Sequence, residues 1–148
     1  MINPTVCIMP VGLGDGNHYP RYMTAQSAGA DCFAAIPHSV TLQPLQRLLI
    51  PLGFSIALPA HYEAQIRPRS GLALRLGVTV LNAPGTIDSD YRGEVGVILI
   101  NLSDAPYTIC PMDRVAQIVV APVAQAMFVP GLIEPTSSRA GGFGSTGT

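Results

Sequence analysis

The sequence predicts an all-β sandwich or barrel, on three observations. Its 14 prolines and 15 glycines are dispersed so that few windows of a dozen residues escape one, which leaves little room for helices. Between these breakers lie short runs rich in Val, Ile, Leu and Thr. The runs recur along most of the chain with turn residues between them, the spacing of a sandwich or barrel rather than of alternating strands and helices.

Taken in order, the first strand is Thr5–Met9, between Pro4 and Pro10. Val11–Gly16 (VGLGDG) is read as a turn, because it lacks the strand–helix context and last glycine of a dinucleotide-binding loop. Ser39–Leu42, Arg47–Leu58 and Tyr62–Arg67 follow as strands. Ser70–Gly77 (SGLALRLG) is the one helical piece, two turns at most, with Ser70 placed to cap it and Gly77 to stop it. Val78–Leu81, Glu94–Leu102 and Arg114–Val120 complete the strands. EVGVILINL (Glu94–Leu102) is apolar on both faces where a strand over one core should alternate, so it occupies a central sheet position or a subunit interface. After Pro130 the composition turns to loop chemistry, which divides the chain into a domain over 1–130 and a tail over 131–148.

Charged residues make up only 11% of the 148, well under the usual quarter or so, which suggests that other copies of the chain cover part of the surface. Eight arginines, no lysine and nine acids argue against a nucleic-acid partner, which needs a basic footprint, yet arginine forks suit small polyphosphates. Cys7, Cys32 and Cys110 form no metal or disulfide pattern, and His18, His38 and His61 lack ligand spacing. No signal peptide is evident, and Arg114–Ile133 is too broken by Gln117, Pro122, Gln125 and Pro130 to span a membrane. A soluble, cytoplasmic protein is expected.

Three stretches carry chemistry. In IRPRSGLAL (Ile66–Leu74), Arg69 and Ser70 stand where a strand gives way to a helix start, whose free N–H groups with a guanidinium and a hydroxyl would suit an anion or an ordinary cap. LNAPGTIDSDYRGEV (Leu81–Val95) reads as a hairpin presenting Asn82, Asp88 and Tyr91 around one concavity. Asparagine offers a donor and an acceptor for a base edge, and a carboxylate can orient and deprotonate a water. In MDRVAQIVV (Met112–Val120), Arg114 and Gln117 interrupt an apolar strand and need polar partners, whether protein groups or a phosphate.

Together these stretches resemble the trimeric dUTPase family. Its five motifs appear in order as SAGADCFAA, PRSGLA, NAPGTIDSDYRGEV, DRVAQIV and RAGGFGSTG, spanning nearly the whole chain. The resemblance implies a jelly-roll-like (β-clip) subunit, a homotrimer with shared active sites, and Mg²⁺-dependent hydrolysis of dUTP to dUMP and pyrophosphate. It further implies that Asp88 activates the attacking water, that Asn82 with the backbone of Thr86 and Ile87 reads uracil, and that Tyr91 packs on the deoxyribose. Gly96 would add a backbone contact. Arg69, Ser70, Gly71 and Gln117 would serve the phosphates from a neighbouring subunit, and Asp31 would reach Mg²⁺ through water, the ion being held mainly by phosphates. From the tail, Arg139 would bind the γ-phosphate, Phe143 would stack on uracil, and Gly144 and Ser145 would wrap phosphate. In the first motif Cys32 and Phe33 stand where aliphatic residues are common, and the fourth opens on Met112–Asp113 where a glycine and an acid are usual. A dCTP deaminase of the same fold would carry RSS in place of the RSG here and a glutamate shuttle near the hairpin, and a non-catalytic nucleotide-binding regulator would dispense with Asp88, Ser70 or the tail.

Overall fold

The computed structural model describes residues 3–134. Eleven short strands and one helix make it up, in the order β1 Cys7–Pro10, β2 Ala30–Phe33, β3 Val40–Leu42, β4 Arg47–Pro51, β5 Phe54–Ala57, β6 Tyr62–Arg67, α1 Ser70–Leu76, β7 Val78–Val80, β8 Gly85–Ile87, β9 Gly96–Asn101, β10 Tyr107–Ile109 and β11 Arg114–Pro122. Every ladder is antiparallel, in sheets ordered β1-β5, β10-β3, β2-β11-β6-β8 and β4-β9-β7. The expected all-β class is observed. No helix among the described residues is long and apolar enough to cross a membrane.

The strands enclose one core in which Phe54, Leu42, Leu52, Leu99, Ile109 and Val97 are buried. Burying each such side chain contributes about 1.5–3 kcal/mol, which drives the sheets together. One polar side chain lies fully inside. Asn101 donates to the carbonyls of Leu42 and Ala105 and accepts from the Ser103 amide and hydroxyl, which ties β9 to β3 and to the loop that follows. With its donors and acceptor all engaged, the carboxamide avoids the penalty of an orphaned buried polar group.

Several sequence expectations are corrected. Arg47–Leu58 is not one strand: the chain breaks at Leu52–Gly53, and its halves join different sheets. The cause is Gly53, whose φ of +76° ends an extended run. β2 and β10 were not anticipated. The helix N-cap is Arg69 rather than Ser70, which is the first helical residue, and no side chain caps the start. The Arg69 guanidinium is drawn instead toward Asp31 and the Arg114 carbonyl. Gly77 does stop the helix, in the left-handed region at φ 63°. In β9, Val97, Leu99 and Asn101 are buried while Ile98 and Ile100 are half-buried, so its second face is half covered at the centre of the β4-β9-β7 sheet. The predicted turn at Val11–Gly16 is present, with the Gly14 amide donating to the Val11 carbonyl at 2.8 Å, and a 3₁₀ turn over Gly16–His18 follows.

A Cβ built on Gly53 would stand 2.6 Å from Gly14 Cα and 2.8 Å from Ala35 Cβ. Gly53→Ala should therefore combine strain at positive φ with overpacking and lower stability by about 1–3 kcal/mol, read as a drop in the urea midpoint at unchanged slope.

Candidate active site

The stretch Leu81–Val95 does not form the two-stranded hairpin that its sequence suggests. β7 pairs with β9, whereas β8 pairs with β6, so the two arms of the turn belong to different sheets. One edge of β7 is taken by β9, while β8 pairs with β6 with Gly85 and Ile87 buried. The turn between them contains Asn82 and a cis Ala83–Pro84 peptide. A cleft of about 470 Å³ opens where the sheets part, lined from one side by Leu49, Pro51, Gly96 and Ile98 and from the other by Ile66, Asn82, Gly85, Thr86, Ile87 and Tyr91. A smaller depression of about 170 Å³ adjoins it and contains Asp88. The two share Thr86, Ile87, Tyr91, Glu94, Val95 and Gly96, so Asp88 adjoins the same cleft that Asn82 lines.

Chemically, the larger cleft has an apolar floor and a polar rim. β8 is the edge strand of its sheet, and an edge strand keeps a row of unpaired N–H and C=O groups. Asn82 packs its carboxamide against Gly85, where a Cβ would come within 3.2 Å of Nδ2. Tyr91 donates its hydroxyl hydrogen to the Glu94 carbonyl at 2.9 Å, which fixes the ring beside the depression. The Asp88 carboxylate is exposed, and its backbone carbonyl accepts from the Tyr91 amide, so the acid and the ring are held in one turn. Leu49, Ile66 and Glu94 also line this region, and the sequence reading did not single them out as site residues.

The remaining predicted residues gather elsewhere, around β11. Asp31 accepts from Arg114 Nη1 at 3.1 Å on one oxygen, and Arg69 Nε lies 3.4 Å from the other. Arg69 Nη1 donates to the Arg114 carbonyl at 2.9 Å, and Gln117 Nε2 donates to the Pro68 carbonyl at 2.9 Å. Arg114 and Gln117 thus find protein partners in the apolar strand. Gly29 packs on the Gln117 carboxamide so closely that a Cβ there would require that side chain to shift. Ser70 and Gly71 supply the first helical N–H groups, which an α-helix leaves without partners. Next to Asp31, burial and then the aspartate's own charge push the Cys32 thiol far up, which makes it an inert core residue. None of Asp31, Arg69, Ser70, Gly71 or Gln117 lines the cleft or the depression that holds Asp88. Arg139, Phe143, Gly144 and Ser145 lie outside the described residues.

Residues 16–147 match the dUTPase family model. The chain belongs to the dUTPase family. It is 55% identical over 137 residues to the deoxyuridine 5'-triphosphate nucleotidohydrolase of Wolbachia pipientis wMel, covering 90% of each chain. To the same-named protein of Cytophaga hutchinsonii it is 57% identical over 134 residues, 88% of this chain and 86% of that one. Its fold resembles that of a mutant dUTPase of Staphylococcus bacteriophage 80alpha with dUpNHpp, at a TM-score of 0.80, 22% identity, and 97% and 99% coverage. A dUTPase from phage phi11 of S. aureus, described with a structural Mg(II) ion, aligns at a TM-score of 0.74 and 22% identity over 90% of this chain and 99% of that one. A jelly-roll-like dUTPase subunit is thus the architecture that carries these two groups of residues.

In this dUTPase chain Asp31 is the hub of the second group. Its side chain is 13% exposed, against 24% for Arg69 and 47% for Arg114. Asp31→Asn removes the charge that holds two guanidinium groups together and should cost about 1–3 kcal/mol of stability, the range for hydrogen bonds to charged groups. Thermal denaturation of both proteins in the same low-salt buffer measures it.

Proposed function

We propose that this protein hydrolyses dUTP to dUMP and pyrophosphate by attack of water on the α-phosphorus. The observation that carries the reading is the adjacency of two hollows, one lined by the edge strand β8 with Asn82 and one holding Asp88, joined by a shared wall of Thr86, Ile87, Tyr91, Glu94, Val95 and Gly96. Uracil enters the larger cleft. There the Asn82 carboxamide and the open edge of β8 at Thr86 and Ile87 bond its alternating acceptor, donor and acceptor groups, with the Gly96 backbone opposite. Cytosine presents a donor where uracil presents an acceptor, so it leaves buried groups unpaired, a mismatch that binding sites reject strongly. The Tyr91 ring packs on the deoxyribose where a 2′-hydroxyl would stand. Asp88 orients a water and takes its proton as the new P–O bond forms, and the pyrophosphate leaves from the α-phosphorus.

The phosphate-binding groups reach this site from a second copy of the chain. In one chain Arg69, Ser70, Gly71 and Gln117 line neither hollow, and exposed Leu45, Leu49 and Leu74 together with an 11% charge content fit a homotrimer with shared sites. Arg139, Phe143, Gly144 and Ser145, from the tail segment 131–148, supply the γ-phosphate and base-stacking contacts; this assignment rests on the motif RAGGFGSTG. Mg²⁺ arrives on the triphosphate as part of the substrate. Among the described residues no three His, Cys, Asp or Glu side chains cluster as a metal site, and both Asp31 oxygens face arginines. That donor set does not fit a resident ion, and Asp31 contacts the substrate's Mg²⁺ only through a coordinated water. Such retention of water suits Mg²⁺.

Incubation of the purified protein with Mg²⁺ and dUTP, dCTP or UTP separately tests the reading. Release of dUMP and pyrophosphate from dUTP is the expected result, and Asp88→Asn should lower kcat by about 10²–10⁴, the usual worth of a positioned base. Ammonia from dCTP would make the protein a deaminase, and no turnover of any nucleotide would make it a binding protein. Deleting residues 139–148 should leave the assembly folded, by sedimentation and circular dichroism, while turnover falls by about 10²-fold or more, the scale of losing transition-state donors.

A further inference from the structure

We propose that Glu94 is a positioning residue that latches the Asp88–Tyr91 turn to the body of the fold, and that the glycine-rich stretch Val11–Gly16 serves as the backing of this latch. The inference rests on the pyrophosphatase reading above. The Gly53 amide donates to Glu94 Oε1 at 3.1 Å, across 41 positions of sequence. Backbone bonds clamp the same place, with the Val95 amide donating to the Phe54 carbonyl at 2.8 Å and the Leu52 amide to the Val95 carbonyl at 3.0 Å.

The chain backs Gly53 closely. The Val11 amide donates to the Gly53 carbonyl at 3.0 Å, and Gly14 lies against Gly53 so tightly that neither position accepts a Cβ. Gly12, at φ +58°, leaves the Glu94 carboxylate its space: a Cβ there would stand 3.3 Å from Oε2. Three glycines that the substrate never touches thus shape a receptor for one carboxylate. The other end of the device is the Tyr91 hydroxyl, which donates to the Glu94 carbonyl. Holding Glu94 therefore holds the ring that walls the sugar, and through the Tyr91 amide it holds the Asp88 carbonyl. Glu94 lines both hollows, but in this scheme its carboxylate is engaged by Gly53 beside Gly12 and acts on the substrate through Tyr91 and Asp88.

The distinguishing readout is sugar discrimination, the ratio of kcat/KM for dUTP to that for UTP, because a general loss of stability would not change it. Glu94→Gln keeps an oxygen for the Gly53 amide and should hold the ratio within about threefold, whereas Glu94→Ala should lower it by about tenfold or more, a small fraction of what steric and hydrogen-bond discrimination can supply. Amide exchange at Gly53 should be protected in wild type and Glu94→Gln and lose protection in Glu94→Ala. If Glu94→Ala fails to assemble, Tyr91→Phe, which removes the hydroxyl and keeps the ring, should lower the ratio in the same direction. A Glu94→Ala protein with wild-type discrimination, an unchanged ratio in Tyr91→Phe, or a Glu94→Gln protein as defective as the alanine variant would overturn the latch while leaving the pyrophosphatase reading intact. Wild-type protein that turns over neither nucleotide would remove both.

Discussion

The arrangement depends on one strand having partners on both of its edges. β11 pairs with β2 on one side and β6 on the other, so Gln117 stands opposite Asp31 and Arg67 at once. Because side chains alternate along a strand, that double pairing fixes which of its residues face the core and which meet the polar cluster. Ala116 and Ile118 share one buried face, Val115 is buried beside the register shift in the β2 ladder, and Arg114 reaches Asp31 from next to that shift. β6 in turn sets the register of β8, placing Thr86 opposite Gln65 and Ile87 opposite Ala64. The edge strand β8 and the arginine cluster are thereby held in one hydrogen-bonded sheet, though on different parts of it.

The cleft exists because consecutive strands separate. β7 and β8 are separated by four residues in the chain and enter different sheets; of the joining residues Leu81 still donates to the Ile98 carbonyl of β9, and the chain then turns away. Asn82 sits in that gap. A binding site at the parting of two sheets has rigid walls on both sides, and positions held by ladders on either side lose little further entropy when a ligand arrives. Asp88 and Tyr91, beyond the end of β8, have no ladder of their own and depend on local turn bonds and on contacts with Gly53 for their position.

Local signals carried much of the fold. Tyr62–Arg67 ends where Pro68 places its end, and Gly77 stops the helix for the stereochemical reason that makes glycine suited to the left-handed region. β2 escaped notice because Ala-Asp-Cys-Phe contains no β-branched residue, and its extended state is imposed by β11. The hairpin reading failed for a related reason: Leu81–Val95 has every local mark of a hairpin, and only long-range competition from β6 and β9 decides that its arms part. Asp88, Asn82 and Tyr91 were legible as chemistry because their residue types suit a base, a sugar and a water. Glu94 was not, since its partner Gly53 is far away in sequence and its own setting reads as the start of an ordinary strand. The separation of Arg69, Ser70, Gly71 and Gln117 from the cleft of their own chain was expected only through the family resemblance, because nothing local to those residues marks it.

The open edge of β8 has a consequence apart from catalysis. Backbone groups free to bond a pyrimidine are equally free to bond another extended chain, and a short edge strand beside an apolar floor is a place where strand addition begins. On the proposed reading the nucleotide occupies that edge whenever it is bound, so the substrate acts as a guard against misassociation as well as a reactant. A cell with little dUTP would leave the guard post empty, and the brevity of β8, three residues, then becomes the protein's own protection against becoming a template.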